Sequence, residues 1–382
     1  MATLPLYLVF GLLALTPVQT TQGASPQASI ALLGSFDFDI RTSAARTLRR
    51  APAAQVGPAL ESAARSHADQ YVRFRALVLL SGIDDARMAK VATELVGDRN
   101  DRVRAVVYQW FERHPQPSVL PRLLDALPAE TSEFVRPALT RALAASGSAV
   151  AAQQALRPLV LKGEDLFRGS VISALGDHRG AFALDELLTV AQLDGPLQDD
   201  AITAVGRIGS ASSRSAIAGL QKTASRELQP TVSAALCLLQ VDCVNRVRFV
   251  LDTLRFAAAT DQHMPLLRGA VHATGVLALA GHREAFTALV DAALASKDAA
   301  RDAMTLGVGT VILRQPPMAL ELFEARGRSE AVAGLFRDGF DMLSEDFDEE
   351  WFGITVRRSL DGTPEGSTKR QAAASLLDAL EF

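Results

Sequence analysis

The chain has 382 residues, of which 48% are apolar but only 6% aromatic, and a net charge of −4. A chain this long needs two or three globular cores, unless a repeat extends it in one dimension. The charge excludes a global positive field that would draw it to phosphate backbones. The Ala, Leu and Val that dominate its apolar set favour helices, and no alternating run suits a half-buried strand.

In chain order, Leu4–Leu15 comes first, apolar except for Pro5 and Gly11 and followed by small polar residues from Thr16 to Ser29. This run predicts a signal peptide and linker over residues 1–28, cut after Gly23 or Ala24, with export to the periplasm or cell envelope. No integral membrane span is expected after processing, because the run is too short. The alternative is an N-terminal helix on a cytoplasmic chain. No Cys follows the run, so no lipoprotein anchor is expected.

From residue 29 to residue 340 a repeat takes over. Four small or apolar positions at i, i+4, i+7 and i+8, one face of a helix, return about every 31 residues. They begin as Ile40, Ala44, Thr47, Leu48 and continue as Val72, Ala76, Leu79, Leu80. Further copies start at 103, 135, 167, 197 and 228, and weaker ones at 267, 300 and 332. The single long interval, 228 to 267, predicts an extended turn inserted around Arg255–Pro265. A second helical segment lies between copies, for example Ala86–Val96, Ser118–Leu127, Ala181–Ala191 and Glu284–Ala295, so each unit reads as a helical hairpin. Gly82, Gly147, Gly176, Gly209 and Gly281 then mark turns. No glycine cluster follows a strand or matches a phosphate loop.

Each early first helix opens on an apolar-Arg pair: Ile40-Arg41, Val72-Arg73, Val103-Arg104, Val135-Arg136 and Phe167-Arg168. An acidic residue three places ahead, at Asp101, Glu133 and Asp165, is suited to cap the free N–H groups of the helix start. This pattern resembles the short bacterial HEAT repeat of the phycobilisome-lyase type, over about residues 36–340. The resemblance implies an all-α solenoid of about ten hairpins, with Arg41, Arg73, Arg104, Arg136 and Arg168 laddering between repeats. Layers of 8 to 10 Å would make an arc or superhelix roughly 90 Å long. In such arrays the second helices usually line the concave side, where an extended peptide or a partner helix fits.

Candidates for chemistry are few. None of the six His precedes a Glu, so the His-Glu metal motif of the deoxyhypusine hydroxylases, an enzymatic HEAT family, is missing. Neither H-E-x-x-H nor G-x-S-x-G occurs. No catalytic, metal or cofactor residue is expected, and the function read from the chain is a protein-binding scaffold, with a lyase- or hydroxylase-type enzyme as the alternative and nucleic-acid binding behind both. His178 and His282, in turns of two similar units, suggest exposed or locally bonded side chains. Cys237 and Cys243 read as two small packed side chains, with a disulfide sterically open to them.

The C-terminal segment, 341–382, is acidic first, then a loop, then a capping helix. Asp346, Asp348, Glu349, Glu350 and Trp351 are its densest charge and are the candidate grip for a basic partner, against the plainer reading of a solvated connection. Lys369–Leu380 predicts an amphipathic helix that covers the end of the array with Ala372, Leu376, Leu377 and Leu380.

Overall fold

The computed structural model describes residues 25–259 and 263–382, all helix and connection, with no strand among them. The expected signal peptide lies outside the described residues. A short helix, α1 (Pro26–Leu32), starts inside the stretch assigned to the linker and already buries Ile30. Nine hairpins follow: α2 (Phe38–Arg50) with α3 (Ala53–Ser66), α4 (Gln70–Ile83) with α5 (Asp85–Glu94), α6 (Asp101–Arg113) with α7 (Leu120–Ala129), α8 (Arg136–Ala145) with α9 (Val150–Leu156), α10 (Asp165–Asp177) with α11 (Leu184–Gln192), α12 (Gln198–Ile208) with α13 (Arg214–Leu220), α14 (Gln229–Leu238) with α15 (Cys243–Ala258), α16 (Met264–Leu279) with α17 (Arg283–Ala295), and α18 (Asp298–Arg314) with α19 (Pro316–Ala325). The chain ends with α20 (Glu330–Leu343), α21 (Asp346–Asp361) and α22 (Thr368–Ala379). The last of these packs on α19 and α20, so it completes a tenth hairpin and α21 is an insertion inside it.

Most register positions form the core, although Ile40 and Thr47 of the first unit are exposed. Val72, Ala76, Leu79 and Leu80 are wholly buried, as are Val171, Ala174 and Leu175 three units on. Each first helix packs on the next first helix, and most also pack on the second helix of the preceding hairpin, as α4 does on α3, α12 on α11 and α16 on α15, so apolar surface disappears between layers. Part of the long interval lengthens α15, which runs on to Ala258, and α16 takes in Met264 and Pro265, so both ends of the expected turn are helical. The caps also fall one place earlier than expected. Asp37, Asp69 and Asn100 accept from the first free N–H groups of α2, α4 and α6, at 2.9, 2.8 and 2.9 Å. Asp101 is instead the first helical residue, and the α10 cap position, Glu164, makes no side-chain bond.

Two further corrections concern shape. The first-helix row, not the second, lines the inside of the curve. Gly176 faces Ala204, Gly206 faces Ala235 and Gly309 faces Gly339 so closely that a Cβ on the glycine would meet backbone at 2.8, 2.8 and 2.8 Å. Small residues pull these helices together, and the row with the shorter spacing must be the concave one. Side chains accordingly reach past a neighbour: Glu112 of α6 to His178 of α10, and Thr203 of α12 to His272 of α16. The array is also not an open arc, because it curls until its ends meet. Helix α21 crosses the interior and packs on both α4 and α18. Ile354 fills the space beside Gly82, and Arg49 lies over the Phe382 ring at 5.1 Å. Among the described residues no helix is long and apolar enough to cross a membrane.

Candidate functional site

The inner face holds a cavity of about 610 Å³ walled by α10, α12, α16 and α18, with Met342 of α20 at one side. Three stripes at helical spacing build it. Asp200, Thr203 and Arg207 point inward from α12, Arg268, His272 and Gly275 from α16, and Asp302, Leu306 and Thr310 from α18. Leu306 and Met342 remain exposed although they face the interior of the curve. The site thus pairs bare apolar wall with convergent polar groups, the usual make-up of a ligand pocket.

Its polar end is organised. Thr203 Oγ1 and His272 Nε2 are 2.9 Å apart, and Asp199 Oδ2 lies 3.9 Å from the same nitrogen. Asp199 Oδ1 is buried without a partner. Burial pushes the Asp200 carboxyl above the usual carboxylate range; His272 and Arg207 pull against this, and Asp199 adds to it. Arg207 and Arg314 share Asp177, the latter through Nη1 to Oδ2 at 2.6 Å. Beyond them Glu112 takes Arg141 Nε at 3.0 Å and His178 Nε2 at 3.2 Å. Burial alone would raise Glu112, but His178 and Arg141 overcome it and hold the acid at about 2. His178 therefore bonds across two units and not locally.

Each arginine of the series donates to a backbone carbonyl ahead of its own helix. Arg41 Nη1 donates to the Ser35 carbonyl at 2.8 Å, and Arg73 Nε to that of Ala64 at 3.1 Å. Arg73 also pairs with Asp98 of the next unit at 2.5 Å. Arg104 donates back to the Asp98 carbonyl and forward to both oxygens of Glu130, while Arg136 takes the Glu130 carbonyl at 2.8 Å. Arg168 closes the series on the Val160 carbonyl and on Asp165, at 3.1 and 2.9 Å.

The acidic segment is neither a solvated connection nor free for an outside partner. It is the first turn of α21, and its carboxylates face this chain's own cations. Asp346 pairs with Arg75, Asp348 with Arg113 and Glu350 with Arg49. Trp351 and Phe347 lie under the Arg113 guanidinium at 4.5 and 4.9 Å. Glu349 has no such pair; burial pushes it up to about 7, Asp346 adds to the push, and Arg75 and Arg49 oppose it. Cys237 and Cys243 are joined in a disulfide, with His282 beside both sulfurs.

Residues 26–109 and 90–176 match the family described as HEAT repeats. The chain carries HEAT repeats. Beyond the matched residues helical hairpins continue in the structure, so the described residues form an α-solenoid. No curated protein matches it. Among solved structures it is similar to YibA of Escherichia coli, at 15% identity and a TM-score of 0.41, over 56% of this chain and 81% of that one. It is likewise similar to the complex of CpcE and CpcF of phycocyanin lyase from Nostoc sp. PCC7120, at 17% identity and a TM-score of 0.37, over 68% of this chain and 98% of that one. Yeast importin-beta (Kap95p) aligns at 13% identity and a TM-score of 0.44, over 96% of this chain and 64% of that one.

The cavity residues were missed by sequence reasoning because they sit on helices whose opposite face carries the repeat register. The available signal was the placement of Asp200, Thr203 and Arg207 at i, i+3 and i+7. That is a polar stripe on a helix that touches neighbours all round.

Proposed function

We propose that this protein is a binding scaffold that takes a segment of a partner protein into the cavity of its first-helix row. One observation carries the reading: Leu306 and Met342 leave large apolar side chains bare, at 43% and 46% exposure, in a cavity that Asp200, Arg207, Arg268 and Arg314 also line. Bare apolar surface rimmed by polar groups marks an interaction site. Arg207, Arg268 and Arg314 around it favour a segment with a carboxylate next to an apolar anchor. The N-terminal apolar run supports export to the periplasm or cell envelope as part of the same reading.

The test places a photocrosslinking residue at Leu306 and, as a control, at Val244, which is exposed on the second-helix row. Gly275 lines the cavity, and its nearest neighbour to an added Cβ is 3.9 Å away, so Gly275→Phe fills the space without meeting backbone. The expected result is one protein crosslinked from position 306 and lost in Gly275→Phe. Equal labelling from positions 306 and 244 overturns the reading.

A second reading, an enzyme of lyase or hydroxylase type, is favoured by the raised acid Asp200 beside the Thr203–His272 pair. Turnover abolished by Asp200→Asn, with the crosslinking unchanged, would select it.

A further inference from the structure

Three helix ends converge at the joint between the seventh and eighth hairpins. The end of α14 carries Cys237, the first residue of α15 is Cys243, and His282 is the residue before α17. His282 Nε2 lies 3.5 Å from the Cys237 sulfur and 3.8 Å from that of Cys243. On the far side of the ring, Nδ1 faces Glu284 Oε1 at 3.3 Å. The two sulfurs and an imidazole nitrogen all fall within 4.8 Å of one another. Cys237 is buried and His282 partly exposed, so the group has a wall on one side and solvent on the other.

A disulfide sulfur has no proton to donate and is a weak acceptor. An imidazole held against both sulfurs, and itself held from behind by a carboxylate, gains little from the bridge. The same arrangement is what a bound metal requires: two thiolates, one neutral imidazole and an acid that fixes the ring and raises its basicity. Cys243 at a helix start is further suited to the thiolate form.

We propose that Cys237, Cys243 and His282, once the bridge is reduced, bind one thiophilic divalent cation of the zinc class, with the fourth position open to water. A dithiol reductant supplies two electrons and two protons to the S–S bond, giving two thiols, and leaves as its own disulfide. The cation then replaces the two thiol protons, which pass to solvent. Oxidation of the pair by a disulfide reverses both steps and expels the ion. The site is thus gated by thiol redox state, and occupancy ties the α14–α15 turn to the start of α17.

Cobalt(II) tests this on the full chain, because a thiolate–cobalt bond absorbs in the near ultraviolet where zinc is silent. The chain is reduced with dithiothreitol, desalted without oxygen and titrated, then back-titrated with zinc. One equivalent is expected to bind with a thiolate-to-cobalt charge-transfer band that zinc removes, and the unreduced chain is expected to show none. Cys243→Ser should abolish the band, and Glu284→Gln should weaken zinc binding about tenfold or more. The far-ultraviolet circular dichroism of each variant checks that it is folded. No band in the reduced chain overturns the proposal, as does a band of equal strength in Cys243→Ser and His282→Ala, or in the unreduced chain.

Discussion

Arg49 in the first unit and Glu350 in α21, 301 residues later, form a two-pronged ion pair. Arg49 Nε donates to Glu350 Oε1 at 3.1 Å and Oε2 at 2.9 Å, and Nη2 donates to Oε2 at 2.7 Å. Their side chains are only 9% and 3% exposed. Removing one partner of a buried pair strands the other charge, which costs about 3–5 kcal/mol. Glu350→Ala should therefore lower the urea midpoint sharply, and the double variant Arg49→Met, Glu350→Leu should recover most of the loss. An unchanged midpoint in Glu350→Ala would show that the ring is closed by apolar contacts such as Ile354 alone.

The same helix sets a pH dependence. Glu349 is pushed up to about 7 from an unfolded value of 4.5, so between those values the folded chain binds the extra proton. Stability then falls as pH rises through that window, because the ionised acid is the form the fold disfavours. Glu349→Gln should flatten this fall and stabilise the chain at pH 8 by on the order of 2 kcal/mol. Glu112 has the opposite sign. Held at about 2, it contributes stability above pH 4.5 that is lost only on further acidification. Melting temperatures at pH 5 and 8, for the wild type and Glu349→Gln, separate the two.

The repeat was legible in the sequence because it is local. Val72, Ala76 and Leu79 recur at a helical spacing that any neighbouring hairpin satisfies, and the ladder from Arg73 to Asp98 spans one unit. Closure was not legible. Arg49, Arg75 and Arg113 look like ordinary surface charges, and their partners Glu350, Asp346 and Asp348 lie more than two hundred residues away with no periodicity to link them. The acidic density of α21 was visible, but not that its complement lay within the same chain. Concavity escaped for another reason. It depends on small residues such as Gly176 and Gly309 meeting across layers, and in the sequence these read as turn or filler positions.

Two glycines of α20 should respond in opposite directions. A Cβ on Gly334 meets nothing within 4 Å, whereas one on Gly339 meets Gly309 Cα at 2.9 Å. Gly334→Ala gains helix propensity with no clash and should stabilise by about 0.5–1 kcal/mol. Gly339→Ala forces α18 and α20 apart and should cost roughly 1–3 kcal/mol. Thermal melts of the two single variants decide the matter. A loss in both would mean that the inner row does not owe its curvature to the close approach.

The ladder should discriminate between cations. Arg104 sends Nε and Nη2 to the two oxygens of Glu130, at 2.8 and 2.9 Å, and Nη1 to the Asp98 carbonyl at 2.8 Å. One planar group thus grips the units on either side. A lysine ammonium carries the charge but cannot make this fork, so Arg104→Lys should still cost roughly 1–3 kcal/mol. Arg104→Ala should cost more, since Glu130 is 5% exposed and keeps its buried charge. Glu130 Oε1 also accepts from the Ser132 N–H, and Asp98 Oδ1 from that of Asn100. Loss of the guanidinium should therefore loosen both connections, and amide hydrogen exchange should rise at the starts of α6 and α8 together. A rise confined to α6 would reduce Arg104 to a local cap and remove it from the inter-repeat ladder.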